Sequence, residues 1–214
     1  SLSDYPQFVS HACHLDSPDP IQAWTNIRHE QAKIVTLLNT CEHFQFKGPH
    51  IDISFSTKGR RWINSDGSRN MPSGEVFTSP IEASVQGHVT FSYPTVYGGK
   101  DVSQVHLSVK DGQVCTWSAA QGQSVLDDIF SVPSARYFGE VAIGTNPNIQ
   151  QITKNILFDE KIGGSIHMAV GASYPETGGK NESPIHWDLI TDMSQGGRII
   201  ADGTCIYQDG QFIF

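Results

Sequence analysis

The sequence predicts an α+β domain that consists mainly of antiparallel β-sheet, with a few helices. Stretches such as "HFQFKG", "DISFST" and "HVTFSY" alternate apolar and polar residues with a period of two, which is typical of strands that bury one face. Asp-Gly pairs at 111–112, 202–203 and 209–210 favour tight hairpins, which join antiparallel strands. One long segment, residues 19–39, has the apolar spacing of an amphipathic helix.

The composition suits a single turn-rich domain. The 214 residues are ample for one buried core. Charged residues make up 17% of the chain, below the usual ~25%, which leaves many positions for apolar, glycine and proline residues. The formal net charge is −8, and the few basic residues are not clustered. Because nucleic acid is bound mainly through lysine and arginine, we expect no nucleic-acid partner.

The chain also lacks the signals of a membrane or secreted protein. No apolar run reaches the ~18 residues needed to span a bilayer, and no signal peptide opens the chain. The four cysteines are far apart and form no C-x-x-C pair. We therefore expect free thiols, a cytoplasmic location and no membrane partner.

The predicted elements of the first half begin with the helix at 19–39. Asp19 can cap this helix, and Pro20 suits its first position. Its predicted buried face, mostly apolar, comprises Ile21, Trp24, Ile27, Gln31, Ile34, Val35 and Leu38. The three alternating stretches then predict strands, and residues 102–119 predict a hairpin turned at 111–112.

The second half predicts further helices between strands. A helix within 121–137 would bury Val125, Leu126, Ile129 and Phe130, and a second helix is predicted at 147–157. The stretches "RYFGEVAIG", "GGSIHMAVGASY" and "SPIHWDLITDM" predict strands, and a final hairpin region covers "RIIADGTCIYQDGQFIF".

Several of these strands carry polar side chains among apolar ones. Residues two apart in a strand point to the same face, so His186 and Asp188 would lie together. Ile185, Trp187 and Leu189 would face the other side. By the same rule His167, Ala169 and Gly171 would share one face, and Phe138, Glu140 and Ala142 would share another. Small residues beside the polar ones leave room for a bound group.

Metal-capable side chains gather in five such stretches. They are Glu75 in "MPSGEVFTSP", Glu140 in "YFGEVAIG", His167 in "GSIHMAVG", Tyr174 in "GASYPE", and His186 with Asp188 in "PIHWDLI". A carboxylate among apolar residues costs several kcal/mol to desolvate unless it is paired or binds a cation. The bases near these segments are Lys154, Lys161, Lys180 and Arg136, so a divalent cation is a candidate partner.

Charge counting favours two ions over one. Glu75, Glu140 and Asp188 supply three negative charges, and a hydroxide would supply a fourth. Two divalent cations would balance these four charges in a half-buried cleft. Oxygen ligands with two imidazoles suit Zn, Mn or Co.

Each residue also has an ordinary structural interpretation. Glu75 could end a loop, Glu140 could pair with Arg136, and His167 could be a hydrogen-bonded core histidine. Tyr174 could be an ordinary amphipathic tyrosine. We treat the other histidines as surface or structural residues: His11, His14, His29, His43, His50, His88 and His106.

A longer set of motifs resembles a known family. The ordered string "INSDGSRNMPSGEVFTSP … FSYP … YFGEVAIGTNP … TKNILFDEKIGGSIHMAVGASYPETGGKNESPIHWDLI" resembles the thermophilic metalloprotease family. This group of dinuclear metallo-aminopeptidases includes the aminopeptidase T, aminopeptidase S and PepS types. The resemblance covers essentially the whole chain. It implies two-domain enzymes about twice this length, with residues 1–214 as the C-terminal metal-binding catalytic domain and the N-terminal α/β domain absent.

The resemblance also implies a ligand set and a reaction. By motif, the ligands would be Glu75, Glu140, His167, Tyr174, His186 and Asp188, holding two divalent ions (Zn, Co, Mn or Mg). The implied reaction releases N-terminal amino acids from peptides with a free N-terminus, by attack of a metal-activated water. Glu140 is the first candidate for acid–base catalysis and Glu75 the second, while Tyr174 would stabilise the oxyanion or touch a metal.

Three alternatives stay open at this stage. The chain could be a truncated metal-binding domain without activity, or a different dinuclear hydrolase of amides or esters. It could also be a β-rich binding module without enzymatic function. The family resemblance further implies a homodimer of the full-length protein.

Overall fold

The helices lie mainly at the start of the chain and between the strands of its second half. The computed structural model describes residues 4–214 and has the predicted α+β composition. Within that range the α-helices are α1 (Tyr5–Ala12), α2 (Pro20–Leu38), α3 (Gln123–Phe130) and α4 (Ile156–Asp159). Short 3₁₀ helices cover Glu82–Ser84, Pro133–Arg136 and Pro175–Thr177.

Strands make up most of the remaining regular structure. In chain order they are β1 (His43–Gly48), β2 (Ile51–Ser56), β3 (Ile63–Ser65), β4 (Glu75–Thr78), β5 (Gln86–Phe91), β6 (Thr95–Tyr97), β7 (Lys100–Val102), β8 (Val105–Lys110), β9 (Gln113–Ser118), β10 (Phe138–Gly144), β11 (Ser165–Gly171), β12 (His186–Asp192), β13 (Arg198–Ala201), β14 (Thr204–Gln208) and β15 (Gln211–Phe212).

Two large antiparallel sheets share one hydrophobic core. The first has the strand order β15-β14-β13-β1-β2-β5-β8-β9, and the second has the order β12-β11-β10-β4-β3. Strands β6 and β7 form a separate two-stranded ribbon. Phe46, Ile53 and Leu107 of the first sheet and Val141 and Met168 of the second belong to the same buried cluster. The apolar face of the five-stranded sheet is thus covered, which leaves its other face for polar side chains.

The long amphipathic helix is confirmed as α2. The side chain of Asp19 accepts a hydrogen bond from the backbone N–H of Gln22, and Pro20 occupies the first turn. Leu38 is buried, as predicted, but Ile21 is 82% exposed. The helix contacts β3 and β4, and its two buried residues, Gln31 and Leu38, lie in its second half, so the first turn is not covered.

Gln31 fastens α2 to the five-stranded sheet. Its side chain is 2% exposed. Its Nε2 donates to Asn64 Oδ1 at 2.9 Å, to the Ser65 carbonyl at 3.1 Å and to the Glu75 carbonyl at 2.8 Å. A single amide thus joins the helix to β3 and to the first residue of β4.

The predicted hairpin turns are confirmed. Asp111, Asp202 and Asp209 have φ values of 52°, 45° and 48°, and each is followed by a glycine with positive φ. Two successive residues with positive φ are what a type I′ turn requires. These turns connect β8 to β9, β13 to β14 and β14 to β15.

One of the two further helix predictions is confirmed and the other needs correction. The helix predicted within 121–137 is α3, which buries Val125, Leu126, Ile129 and Phe130 as predicted. It ends at Phe130, and Pro133 begins a 3₁₀ helix, because the residue before a proline is disfavoured in the helical conformation. The helix predicted at 147–157 is wrong, since the only helix there, α4, begins at Ile156. The Asp159 carboxylate accepts from the N–H groups of Thr153 and Lys154, which holds the preceding residues in a turn.

The first helix was not predicted from the sequence. Phe8 and Val9 of α1 pack on a small second cluster that contains Ile149, Phe158 and Ile162. This cluster lies apart from the main core.

Cys13, Cys41, Cys115 and Cys205 carry free thiols, as predicted. Within residues 4–214, none of the helices combines the length and the hydropathy that crossing a bilayer would take.

We expect Gln31→Leu to destabilise the chain by about 1–3 kcal/mol, because it removes the hydrogen bonds that a buried amide donates to β3 and β4. Urea unfolding followed by circular dichroism would measure this change. The matched control is Gln22→Leu, since Gln22 is exposed on the same helix and its side chain bonds only Asn26. Equal stabilities for the two variants would contradict the fastening role of Gln31.

Candidate metal centre

The polar face of the five-stranded sheet alternates metal-capable and small side chains. In the strand register, Glu140 of β10 lies opposite Ala169 of β11, which in turn lies opposite Asp188 of β12. His167 lies opposite Ala142. In the same way, Glu75 of β4 lies opposite Gly144, and His186 lies opposite Gly171. Each large side chain therefore has a small neighbour across the ladder, and this leaves space above the sheet.

One predicted facing is wrong. Phe138 does not share a face with Glu140, because a β-bulge shifts the register between them. Phe138 pairs with Val170 and is fully buried in the core. Gly139 permits the bulge, since a Cβ there would lie 2.0 Å from the carbonyl oxygen of Ala172. Trp187 and Leu189 face away from His186 and Asp188, as predicted, and both lie in the core.

One group of donors comprises Glu140, His186 and Asp188. Nε2 of His186 lies 3.3 Å from Glu140 Oε2 and 3.6 Å from Asp188 Oδ1. Nδ1 of His186 donates to the carbonyl of Ala172 at 2.9 Å. This bond assigns one proton to Nδ1, so Nε2, which faces the carboxylates, is the ring nitrogen left to bind a metal.

A second group comprises Glu75, Glu160 and His167. One ligand atom from each residue lies within 4.8 Å of the other two. Nε2 of His167 is 3.6 Å from Glu75 Oε2 and 3.7 Å from Glu140 Oε1. The two oxygens of Glu140 thus face the two histidines, and this carboxylate lies between the two groups.

Glu160 is a site residue that the sequence analysis did not identify. It follows α4, so neither the period-two rule nor the strand register relates it to the other donors. The available signal was a Glu-Lys pair between the apolar residues Phe158 and Ile162. Lys161, which the sequence indicates only as a nearby base, is 0% exposed. Its ammonium bonds Glu160 and lies 3.7 Å from Glu75 Oε1.

Tyr174 lies at the edge of the site. Its hydroxyl is 3.4 Å from Nε2 of His186, and its ring packs edge-on against Phe77. Burial, followed by the charges of Glu140 and Asp188, raises the pKa of the phenol well above its ordinary value. The side chain is therefore neutral at physiological pH and can donate a hydrogen bond.

The site carries an excess of negative charge. Burial, and then the charge of Glu160, raises the pKa of Glu75 to about 8. Burial alone would lower the pKa values of the two histidines, but Glu140 and Glu75 raise the pKa of His167 to about 10. Asp188 and Glu140 in the same way raise the pKa of His186 to about 11. Protons on the imidazoles thus take the place of cations beside these carboxylates.

The donor set fits divalent metal ions. Glu75 Oε2, Asp188 Oδ1 and His167 Nδ1 are buried, and none has a hydrogen-bond partner among residues 4–214. His167 is therefore not a satisfied core histidine. Glu140 does not pair with Arg136, whose Nε donates to the carbonyl of Phe130. Because Lys161 offsets the added charge of Glu160, the predicted balance with two divalent ions and a hydroxide still holds.

A cleft of about 350 Å³ opens onto the site. An ion pair of 2.7 Å between Arg69 and Glu176 lies at its rim. The wall also includes Ile63, Asn64, Ser65, Asp66 and Phe77, besides Glu75, Glu140, Glu160 and Tyr174. Apart from Arg69, the ionisable groups in this wall are acids and a tyrosine, so the cleft attracts cationic groups.

Comparison with known proteins identifies relatives over nearly the whole chain. The profile of the thermophilic metalloprotease (M29) family matches residues 1–212. Aminopeptidase 2 of Geobacillus stearothermophilus is 30% identical over 236 aligned residues, covering 94% of this chain and 56% of the relative. Aminopeptidase AmpS of Bacillus subtilis is 30% identical over 238 residues, covering 95% and 57% respectively. The chain thus spans about half the length of the curated relatives it matches.

Solved structures with the same fold include wild-type AmpT from Thermus thermophilus. It superposes with a TM-score of 0.79 at 28% identity, covering 91% of this chain and 56% of that protein. A 2,5-dihydroxypyridine dioxygenase from Pseudomonas putida superposes with a TM-score of 0.70 at 18% identity, covering 84% and 57%. The second likeness concerns the fold alone.

We expect Zn²⁺ to stabilise the metal-free chain. Ligand binding adds RT ln(1 + [L]/Kd), which is about 2.7 kcal/mol at 100 times Kd. For a domain of this size that corresponds to a rise of about 5–10 °C in the unfolding midpoint. Thermal unfolding with Zn²⁺ and with a chelator would measure the rise, which should shrink in His186→Ala and persist in His88→Ala, an exposed histidine. An unchanged midpoint on chelation would favour the binding-module interpretation.

Proposed function

The chain belongs to the thermophilic metalloprotease family, and from this premise we propose that it is the catalytic domain of a metal-dependent aminopeptidase. The substrates would be peptides, from which it releases N-terminal amino acids. The observation that carries the proposal is the pair of donor groups joined by Glu140 at the foot of an acidic cleft.

We propose that the two donor groups hold two divalent ions. Glu140, His186 and Asp188 would hold one ion, and Glu75, Glu160 and His167 the other. Glu140 would bridge them, because its two oxygens face different histidines. Mixed carboxylate and imidazole ligands favour Zn, Co or Mn, whereas Mg prefers oxygen ligands alone.

Bound divalent ions would lower the pKa of a water from ~15.7 toward ~7 and polarise the scissile carbonyl. We propose that Glu75 exchanges protons with this water and with the leaving amine. Its Oε2 is buried without a hydrogen-bond partner among the described residues and lies 3.6 Å from Nε2 of His167, so it faces the donor groups where the water would be held. Glu140, the first candidate from the sequence, is better suited to bridging than to proton transfer.

Tyr174 would act on the carbonyl side of the reaction. Its neutral phenol lies beside His186 and lines the cleft, where it can donate to the developing oxyanion. One such donor contributes ~3 kcal/mol to transition-state stabilisation.

The cleft supports the preference for a free N-terminus. In its wall Asp66 is paired with Arg28 and Glu176 with Arg69, so the negative charge that remains for an amine is mainly that of the donor carboxylates. A protonated α-amine would be attracted there, whereas an acetylated terminus would not. The homodimer remains a prediction of the family resemblance, and the cytoplasmic location remains a prediction from the cysteine pattern.

We expect Glu140→Gln and His186→Ala each to lower kcat/KM by more than about a hundredfold, the upper end of what outer-shell changes cost at metal sites. Hydrolysis of an aminoacyl chromogenic substrate with added Co²⁺ or Zn²⁺ would measure this loss, with His88→Ala as the control. Wild-type turnover in both site variants would overturn the assignment.

Glu75→Gln should separate proton transfer from metal binding. The amide keeps one oxygen ligand but cannot accept a proton. We therefore expect kcat to fall while elemental analysis still finds both ions in the variant. Loss of metal together with activity would instead assign Glu75 to binding alone.

An N-acetylated peptide distinguishes the open alternatives. It should resist cleavage if the enzyme is an aminopeptidase, and it should be cleaved by a general dinuclear hydrolase. Two bound ions without turnover of either substrate would indicate a metal-binding domain that is inactive by itself.

A further inference from the structure

Lys161 places a fixed positive charge inside the metal centre. Its side chain is completely buried, and its ammonium bonds Glu160 and lies 3.7 Å from Glu75 Oε1. The backbone of Lys161 is held on both sides, because its N–H donates to the Phe158 carbonyl and its carbonyl accepts from the N–H of Asn146. A residue anchored in this way cannot easily withdraw its ammonium from the site.

The positive charge is not shared equally by the two donor groups. Glu75 and Glu160 both lie beside the ammonium of Lys161. Around the other group, no lysine or arginine nitrogen of residues 4–214 comes within 4.0 Å of the carboxylates of Glu140 or Asp188. The two groups are otherwise alike, since each provides two carboxylates and one imidazole.

We propose that Lys161 is a positioning residue that holds Glu75 and Glu160 in place in the metal-free chain and makes the ion at Glu75, Glu160 and His167 the more weakly bound and the second to load. This inference rests on the proposed dinuclear site. Two buried carboxylates repel each other, and an ammonium that contacts both offsets this repulsion and orients them. The same ammonium repels an arriving divalent cation, and this repulsion is weaker at the group of Glu140, His186 and Asp188, whose carboxylates lie more than 4.0 Å from it.

Calorimetric titration of Co²⁺ into the metal-free 214-residue chain tests the proposal. The wild type should bind two equivalents, one tight and one weaker. In Lys161→Gln, which keeps an N–H donor for Glu160 but removes the charge, the weaker equivalent should tighten by about tenfold or more, and the tighter one should change by less than about twofold. Two equal affinities in the wild type, or an unchanged isotherm in Lys161→Gln, would overturn the proposal.

Further variants separate charge from structure. Lys161→Arg keeps the positive charge, so it should retain the unequal affinities of the wild type. Lys33→Gln, which removes an exposed lysine on α2, should leave the isotherm unchanged. Lys161→Met, which removes both charge and donor, should lower the unfolding midpoint of the metal-free chain more than that of the loaded chain. An equal lowering in both states would assign Lys161 a structural role only and overturn the proposal.

The same titration distinguishes this inference from the site on which it rests. If the wild type binds no Co²⁺, the dinuclear site fails and the role of Lys161 fails with it. If the wild type binds two ions and the lysine variants do not differ, only the role of Lys161 is wrong.

Discussion

The structure of the polar face depends on the electrostatic cost of bringing four carboxylates together away from water. Glu75, Glu140, Glu160 and Asp188 meet on one side of the five-stranded sheet, with Lys161 as the one fully buried lysine or arginine among residues 4–214. Like charges in such an environment must be neutralised or lose their charge. The raised pKa values of the two histidines are one response to this constraint, and binding of divalent cations is the other.

Small residues on the strands make this arrangement possible. Alanine and glycine residues stand across the ladder from the donors, so the carboxylates and imidazoles approach one another above the sheet instead of packing against large neighbours. The bulge at Gly139 turns Phe138 into the core while Glu140 stays on the polar face. The same strand therefore contributes to the hydrophobic core and to the centre of the site.

Periodicity within strands accounts for what could be predicted from the sequence. The alternation in β11 and β12 was sufficient to place His167, His186 and Asp188, because strand facing depends only on local spacing. Glu160 and the burial of Lys161 could not be predicted in this way, since they depend on how the turn after α4 packs on the sheet. The bulge was missed because it depends on the close approach of Gly139 to Ala172 of the neighbouring chain segment, and the late start of α4 was missed because the Asp159 carboxylate bonds the N–H groups of Thr153 and Lys154 instead of leaving them to a helix.

The pairing of β12 with β11 has a consequence for folding fidelity. His167 and Asp188 converge only if these strands align as they do, with Ala169 opposite Asp188. A slip of one residue would present Trp187 and Leu189 to the polar face and push the ionisable side chains into the hydrophobic interior. The donors would then no longer lie together, so binding of a cation would stabilise the correctly aligned sheet and not a misaligned one.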